Sequence, residues 1–288
     1  MPFGDGSEIA GYTIQRMLGS GEKGEVYLAQ HPRLPRQDAL RVFEEDLSGD
    51  RDFVERFTRE MELAAGVGHP HIVGLHGRGT HEGRLWMSMD FVDGTDCGRL
   101  LQERYPDGMP SSDALEIIRT VAEALDFAHA RGLFHRAVKP ANILLADADG
   151  GGRRILLGDF GVTPPSANDS GSGAAASRAR LGVVTYAAPE QLISLVVDGR
   201  TDQYALAVTA YHLLTGAPPF QHEQPAVVIG LHLNAKPPRL ADIRPELAAF
   251  DAPLARAMSK DPEQRFATCA DFVYALEHAA KEVPAAGD

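Results

Sequence analysis

Cysteine is almost absent from this chain: Cys97 and Cys269 are the only two in 288 residues. They stand far apart and match no metal-ligand spacing. That excludes a disulfide framework and suits a reducing, cytosolic setting. No run approaches ~18 apolar residues, so no membrane-spanning helix is predicted. Residues 1–10 lack a basic stretch followed by an apolar run, so no secretory signal is expected there. Basic charge is also short, with 28 Lys and Arg against 40 Asp and Glu and a net charge of -12. This balance argues against a nucleic-acid or acidic-membrane surface. Lysine is the scarcer base, confined to Lys23, Lys139, Lys236, Lys260 and Lys281. No internal repeat is present.

What remains is ordinary for a soluble globular protein: 44% hydrophobic and 24% charged residues, enough to bury a sizeable core. Tyr12-Thr13-Ile14, Gly24 to Ala29, Asp38 to Phe43 and Leu85 to Met89 have strand character. Phe53 to Ala65 carries Phe53, Phe57, Met61 and Ala64 at helical spacing. From Ser112 onward helices dominate, over Ala114 to Ala130, Thr201 to Leu214, Asp251 to Met258 and Cys269 to Ala279. A sheet-rich front and a helix-rich back predict two segregated lobes of α+β class. Pro164 to Arg180 is rich in Ser, Ala, Gly and Pro, and reads as a mobile loop. The ending near Val283-Pro284-Ala285 has the composition of a linker.

Several segments carry chemistry. Leu18-Gly19-Ser20-Gly21-Glu22-Lys23-Gly24-Glu25-Val26 has the form G-x-G-x-x-G-x-V between two strands. Its glycines let the backbone close over phosphates, although a plain hairpin turn uses glycine in the same way. A dinucleotide fold would need strand-then-helix here and is disfavoured. Histidines 69, 71, 76 and 81 lack both the i, i+4 pairing and the companion ligands of a zinc site. The run His135-Arg136-Ala137-Val138-Lys139-Pro140-Ala141-Asn142-Ile143-Leu144 is followed by Asp159-Phe160-Gly161 and by Ala188-Pro189-Glu190.

In this order the segments resemble the protein kinase family, in its bacterial Pkn-type Ser/Thr branch, over residues 11–280. The resemblance implies a two-lobed kinase-like fold. Its N-lobe, about residues 11–92, is an antiparallel β-sheet with one helix, and its C-lobe, about 93–280, is mainly helical. Residues 1–10 and 281–288 are expected to be flexible termini. The resemblance also implies an ATP site: Leu18, Gly19, Gly21, Gly24 and Val26 above the nucleotide, with Val26, Ala39 and Leu144 around an adenine. Met89 stands at the gate, and the backbone of Asp90 and Val92 meets the base edge. Lys139 lies near the γ-phosphate, and Asn142 and Asp159 hold Mg2+. Arg41, at the strand lysine position, pairs with Glu60. Arg136 anchors a phosphorylated loop, and Asp202 and the Glu190–Arg265 pair belong to the scaffold.

The pattern fails at named positions. Ala137 stands where such kinases carry the aspartate that accepts the substrate hydroxyl proton. Arg41 replaces the phosphate lysine, and an arginine fork does not reproduce a compact ammonium. Glu22 adds negative charge to the glycine loop, with Lys23 beside it as an offset. Val183 replaces a threonine that would hold the missing aspartate. A general base is worth about 10² to 10⁴-fold, or roughly 2.7 to 5.5 kcal/mol of barrier. The expected protein is a pseudokinase that binds ATP and Mg2+ weakly and signals through regulatory or substrate proteins. Another Ser/Thr kinase acting on Ser166, Ser170, Ser172 or Ser177 is an expected partner. Two further readings stand beside it: a slow Ser/Thr kinase, and an interaction module indifferent to nucleotide. The setting is cytoplasmic, as a free protein or as the cytoplasmic part of a membrane-anchored one.

Overall fold

Alternating strands at the front pair into one antiparallel sheet. In the computed structural model, which describes residues 3–21, 23–148, 150–160 and 181–281, six strands take the order β1-β2-β3-β4-β6-β5. They are β1 (Glu8–Ile9), β2 (Tyr12–Gly21), β3 (Gly24–Gln30), β4 (Gln37–Phe43), β5 (Leu75–His81) and β6 (Arg84–Asp90). One face of the sheet buries Ile9, Tyr12, Ile14, Tyr27, Leu40 and Val42 together. The other receives α2 (Arg51–Ala65), whose Phe53 and Phe57 pack on Phe43 with ring centroids 5.7 and 5.0 Å apart. Asp50 caps that helix, accepting from Phe53 N at 3.1 Å. A short α1 (Glu45–Gly49) precedes it.

Two details depart from the sequence reading. Residues 3–10 were expected in a flexible terminus, yet Glu8 and Ile9 pair with Thr13 and Tyr12, and Ile9 is fully buried. β5 was not anticipated because Leu75–His81 is polar and glycine-rich. Gly77 and Gly79 leave room for the Trp86 ring, which lies 3.0–3.6 Å from where their Cβ atoms would stand.

Behind the sheet come β7 (Gly94–Asp96), α3 (Cys97–Arg104), α4 (Ser111–His129), β8 (Ile143–Asp147) and β9 (Arg153–Leu157), with β7-β8-β9 forming a second small sheet. They are followed by α5 (Pro189–Leu192), α6 (Gly199–Thr215), α7 (Pro225–Asn234), α8 (Asp251–Ala257) and α9 (Cys269–Ala280). α6 is buried on nearly every face, as befits the centre of a helical lobe. A single core cluster runs from Phe43 and Phe57 through Ile117 and Leu125 to Phe272. The fold is thus the two-lobed protein kinase fold, with an antiparallel N-lobe sheet and its helix and a helical C-lobe. The bridge Ile72–Leu157 ties the two together. Glu22, Gly161, the loop expected over Pro164 to Arg180 with its serines, and the ending near Val283 lie outside the described residues.

Buried charge locks the C-lobe. Arg265 grips Glu190 with two bonds of 2.8 Å, and Thr201 Oγ1 donates to the same carboxylate. Asp202, fully buried on α6, accepts from His129 Nε2 at 2.8 Å. Burial opposes the His129 imidazolium, but the Asp126 and Asp202 carboxylates outweigh it and hold His129 up to about 9, from an ordinary 6.5. Because the folded value lies above the unfolded one, the stabilisation is complete below 6.5 and lost as pH rises through about 9. Burial would raise Asp202, but His129 lowers it overall, so its contribution is present above the ordinary 3.8 and lost in acid. Urea titrations from pH 6 to 10 should show wild-type stability falling relative to His129→Gln, with the difference closing above about pH 9. A constant difference across that range would contradict the assignment.

Candidate functional site

The loop between α4 and β8 is held from below by Asp202. Its carboxylate accepts from His135 N at 2.7 Å and Arg136 N at 2.6 Å. Gln191 Nε2 donates to Arg136 O at 2.9 Å. These bonds fix Arg136 at φ 60, a left-handed conformation that a non-glycine residue adopts only when its surroundings impose it. His135 is buried and its pKa is lowered by that burial. Its Nδ1 accepts from Ala137 N at 3.2 Å, so the proton belongs on Nε2, which donates to Gly158 O at 2.7 Å. Asn142 Nδ2 donates to Ala137 O at 2.8 Å. Ala137 is therefore held at both its N–H and its C=O, and only a methyl group projects from it.

Between the lobes lies a cavity of about 560 Å³, within the range of small-molecule sites. Every residue expected around a nucleotide or its metal lines it except Glu60: Leu18, Gly19, Gly21, Gly24, Val26, Ala39, Arg41, Met89, Asp90, Val92, Lys139, Leu144, Asn142 and Asp159. Asp90 N donates to Gly74 O at 2.9 Å, so any bond from Asp90 to a base edge falls to its carbonyl. Added Cβ atoms at Gly19 and Gly21 would meet nothing within 4 Å. The chain's own packing does not require glycine there, and the backbone is open to close approach. Gly24 is different: at φ 122 its Cβ would stand 2.0 Å from Val42 O.

The charges differ from the sequence expectation. Arg41 does not pair with Glu60. Its Nη2 donates to Asp159 Oδ1 at 2.6 Å, and Lys23 Nζ stands 3.8 Å from Asp159 Oδ2. Glu60, buried on α2, binds Arg136 Nη1 at 2.5 Å instead. Burial disfavours the Asp159 carboxylate, but Arg41, Lys23 and Lys139 overcome it and bring its pKa to about 2, from an ordinary 3.8. Asp159 also takes φ 64, again left-handed. Sequence reasoning treated Lys23 only as an offset to Glu22. Yet its side chain is only 10% exposed and faces the cleft.

Beneath Lys23 a small cavity of about 20 Å³ is lined by Arg136, Ala137, Lys139, Gly182, Val183, Tyr186 and Ala187. It has three cationic neighbours and no carboxylate among the described residues. The oxygen donors left for a metal, Asn142 and Asp159, suit Mg2+ by type. The histidines 69, 71, 76 and 81 form no metal-like cluster among the described residues. Among the described residues the one grouping of that kind is Asp126, His129 and Cys269, where His129 is already engaged by two carboxylates. No described helix is long and apolar enough to cross a membrane.

Comparison with known proteins gives a consistent result. The protein kinase domain family matches residues 12–278. The serine/threonine-protein kinase PknF of Mycobacterium tuberculosis is 56% identical over 96% of this chain, which spans 58% of PknF's length. PknI of the same species is 42% identical over 97% of the chain and 44% of its own length. The crystal structure of the M. tuberculosis PknI kinase domain superposes with a TM-score of 0.80, at 42% identity, covering 96% of this chain and all of that one.

The Glu60–Arg136 pair ties α2 to the loop around Ala137, so removing the arginine takes this ion-pair partner from a buried carboxylate. Arg136→Ala should lower stability by about 3 kcal/mol and speed amide exchange across α2 before the rest of the sheet. Unchanged exchange in α2 would contradict this coupling.

Proposed function

The chain belongs to the bacterial Pkn-type Ser/Thr protein kinase family, and we propose that it is a nucleotide-binding member crippled in its own phosphoryl transfer. Ala137 carries this reading. The loop around it keeps its bonds to His135, Asn142 and Asp202, so the scaffold is intact while the proton acceptor is missing. The neighbouring cavity offers Lys23, Arg136 and Lys139 but no described carboxylate to replace it. Val183 lines the same cavity, where no described aspartate stands for a threonine to hold.

A kinase cleft implies ATP and Mg2+, and the residues present fit them. Asn142 and Asp159 would be the protein ligands of magnesium, which would supply charge against the phosphates. Two side-chain cations already face Asp159, so the metal competes with them, which supports weak binding. We place the protein in the cytoplasm, alone or as part of a membrane-anchored chain, where it signals by binding regulatory or substrate proteins.

A second reading has its own support. Relatives at 56% and 42% identity bear the name serine/threonine-protein kinase. Taken alone, the comparisons favour an active or slow Ser/Thr kinase that transfers the ATP γ-phosphate to protein. The case for loss rests on residues 41, 137 and 183 of this chain.

Radiolabelled ATP separates the two. Self-labelling and labelling of a generic substrate should not exceed an Asp159→Ala control, leaving turnover at least ~10³-fold below a typical kinase. Label above that control would establish the second reading. Introducing Ala137→Asp together with Arg41→Lys should then raise transfer strongly. Thermal melting tests binding itself: millimolar ATP with magnesium should raise Tm, and no shift would leave an interaction module indifferent to nucleotide.

A further inference from the structure

We propose that Lys23, presented from the glycine turn, is the phosphate-binding cation of this cleft, in place of the missing strand lysine. The inference rests on the nucleotide reading and adds which side chain takes the phosphate.

The backbone sets Lys23's direction. Gly21 and Gly24 face each other across the β2–β3 turn, and Gly24 lies so close to Val42 O that only glycine fits. Glu44 N donates to Lys23 O at 3.4 Å, drawing the turn onto the end of β4. The Lys23 side chain, 10% exposed, therefore runs into the cleft rather than into solvent. A buried ammonium needs negative charge nearby, and Asp159 Oδ2 is one such neighbour at 3.8 Å. That separation is an ion contact beyond hydrogen-bond length.

Arg41 is held differently. Its Nη2 is 2.6 Å from Asp159 Oδ1, and its Nε is buried without a hydrogen-bond partner. The two cations thus take opposite oxygens of one carboxylate, Arg41 by a short bond and Lys23 by a long one. Arg41 is committed to holding Asp159. Lys23 has a compact head with three donors on a flexible stem, so it can turn towards a phosphate while staying near Asp159. It lines both the nucleotide cleft and the small cavity beside Ala137, and Lys139 is the only other lysine to do so. An arginine-rich chain thus places two of its five lysines at this junction.

Calorimetric titration of ATP and of adenosine into the full chain decides the matter, with far-UV circular dichroism confirming that each variant is folded. Lys23→Gln, close in length and uncharged, should weaken ATP at least ~10-fold and leave adenosine unchanged. Lys23→Ala should do the same, and Lys23→Arg should recover only part of the loss. Arg41→Gln should change ATP affinity less than Lys23→Gln does. Wild-type ATP affinity retained in folded Lys23→Gln, or a larger loss from Arg41→Gln, overturns the assignment while leaving nucleotide binding intact. Failure of the wild-type chain to bind either compound overturns the nucleotide reading, and this inference with it.

Discussion

The Asp202 carboxylate, buried on α6, is the constraint on which the cleft depends. It receives two backbone N–H groups of the loop between α4 and β8 and the His129 imidazolium. Charge-assisted bonds of this kind are strong in a low-dielectric interior. They hold Arg136 in a left-handed conformation, and the next residue lines the small cavity shared with Lys23 and Lys139. The next residue is Ala137. The fold thus spends its most buried carboxylate on positioning a side chain that has no proton-accepting group.

Electrostatics of the cleft follow from a second carboxylate. Asp159 faces Arg41, Lys23 and Lys139, and stays ionised far into acid. Arg41 and Lys23 both face this carboxylate within the cleft. Glu60, the other acid expected at the site, is drawn to Arg136. One consequence is mechanical. α2 of the sheet-rich lobe is tied to the α4–β8 loop of the helical lobe, whereas the family pattern would tie it to the strand residue. A phosphorylated loop segment that competes for Arg136 would act on α2 through the same bond.

Much of this was legible in the sequence because the decisive segments are local. The run from His135 to Leu144 and the Asp159-Phe160 pair each carry their chemistry in residue identity, whereas the Glu190–Arg265 partnership, 75 residues apart, was implied only by the family resemblance. Long amphipathic helices announced themselves by spacing, as Phe53, Phe57 and Met61 do. Other features depend on partners distant in the chain. Whether Glu60 meets Arg41 or Arg136 is decided by how α2 sits over a loop 76 residues away, and no local pattern encodes that. Lys23 read only as an offset to Glu22, since only the close approach of Gly24 to β4 shows that it turns inward. β5 was hidden because its glycines are filled by Trp86 from the neighbouring strand. α7 was hidden because its apolar run has no clear helical face, with only Val228 and His232 buried.

The central claim is that this cleft holds a nucleotide without passing its phosphate on. Phosphorus NMR of ATP and magnesium mixed with an equal amount of the chain tests both halves at once. The account predicts ATP resonances that broaden or shift on binding and then persist for hours without conversion to ADP. Steady growth of ADP signals, accompanied by a new phosphoprotein resonance, would contradict it.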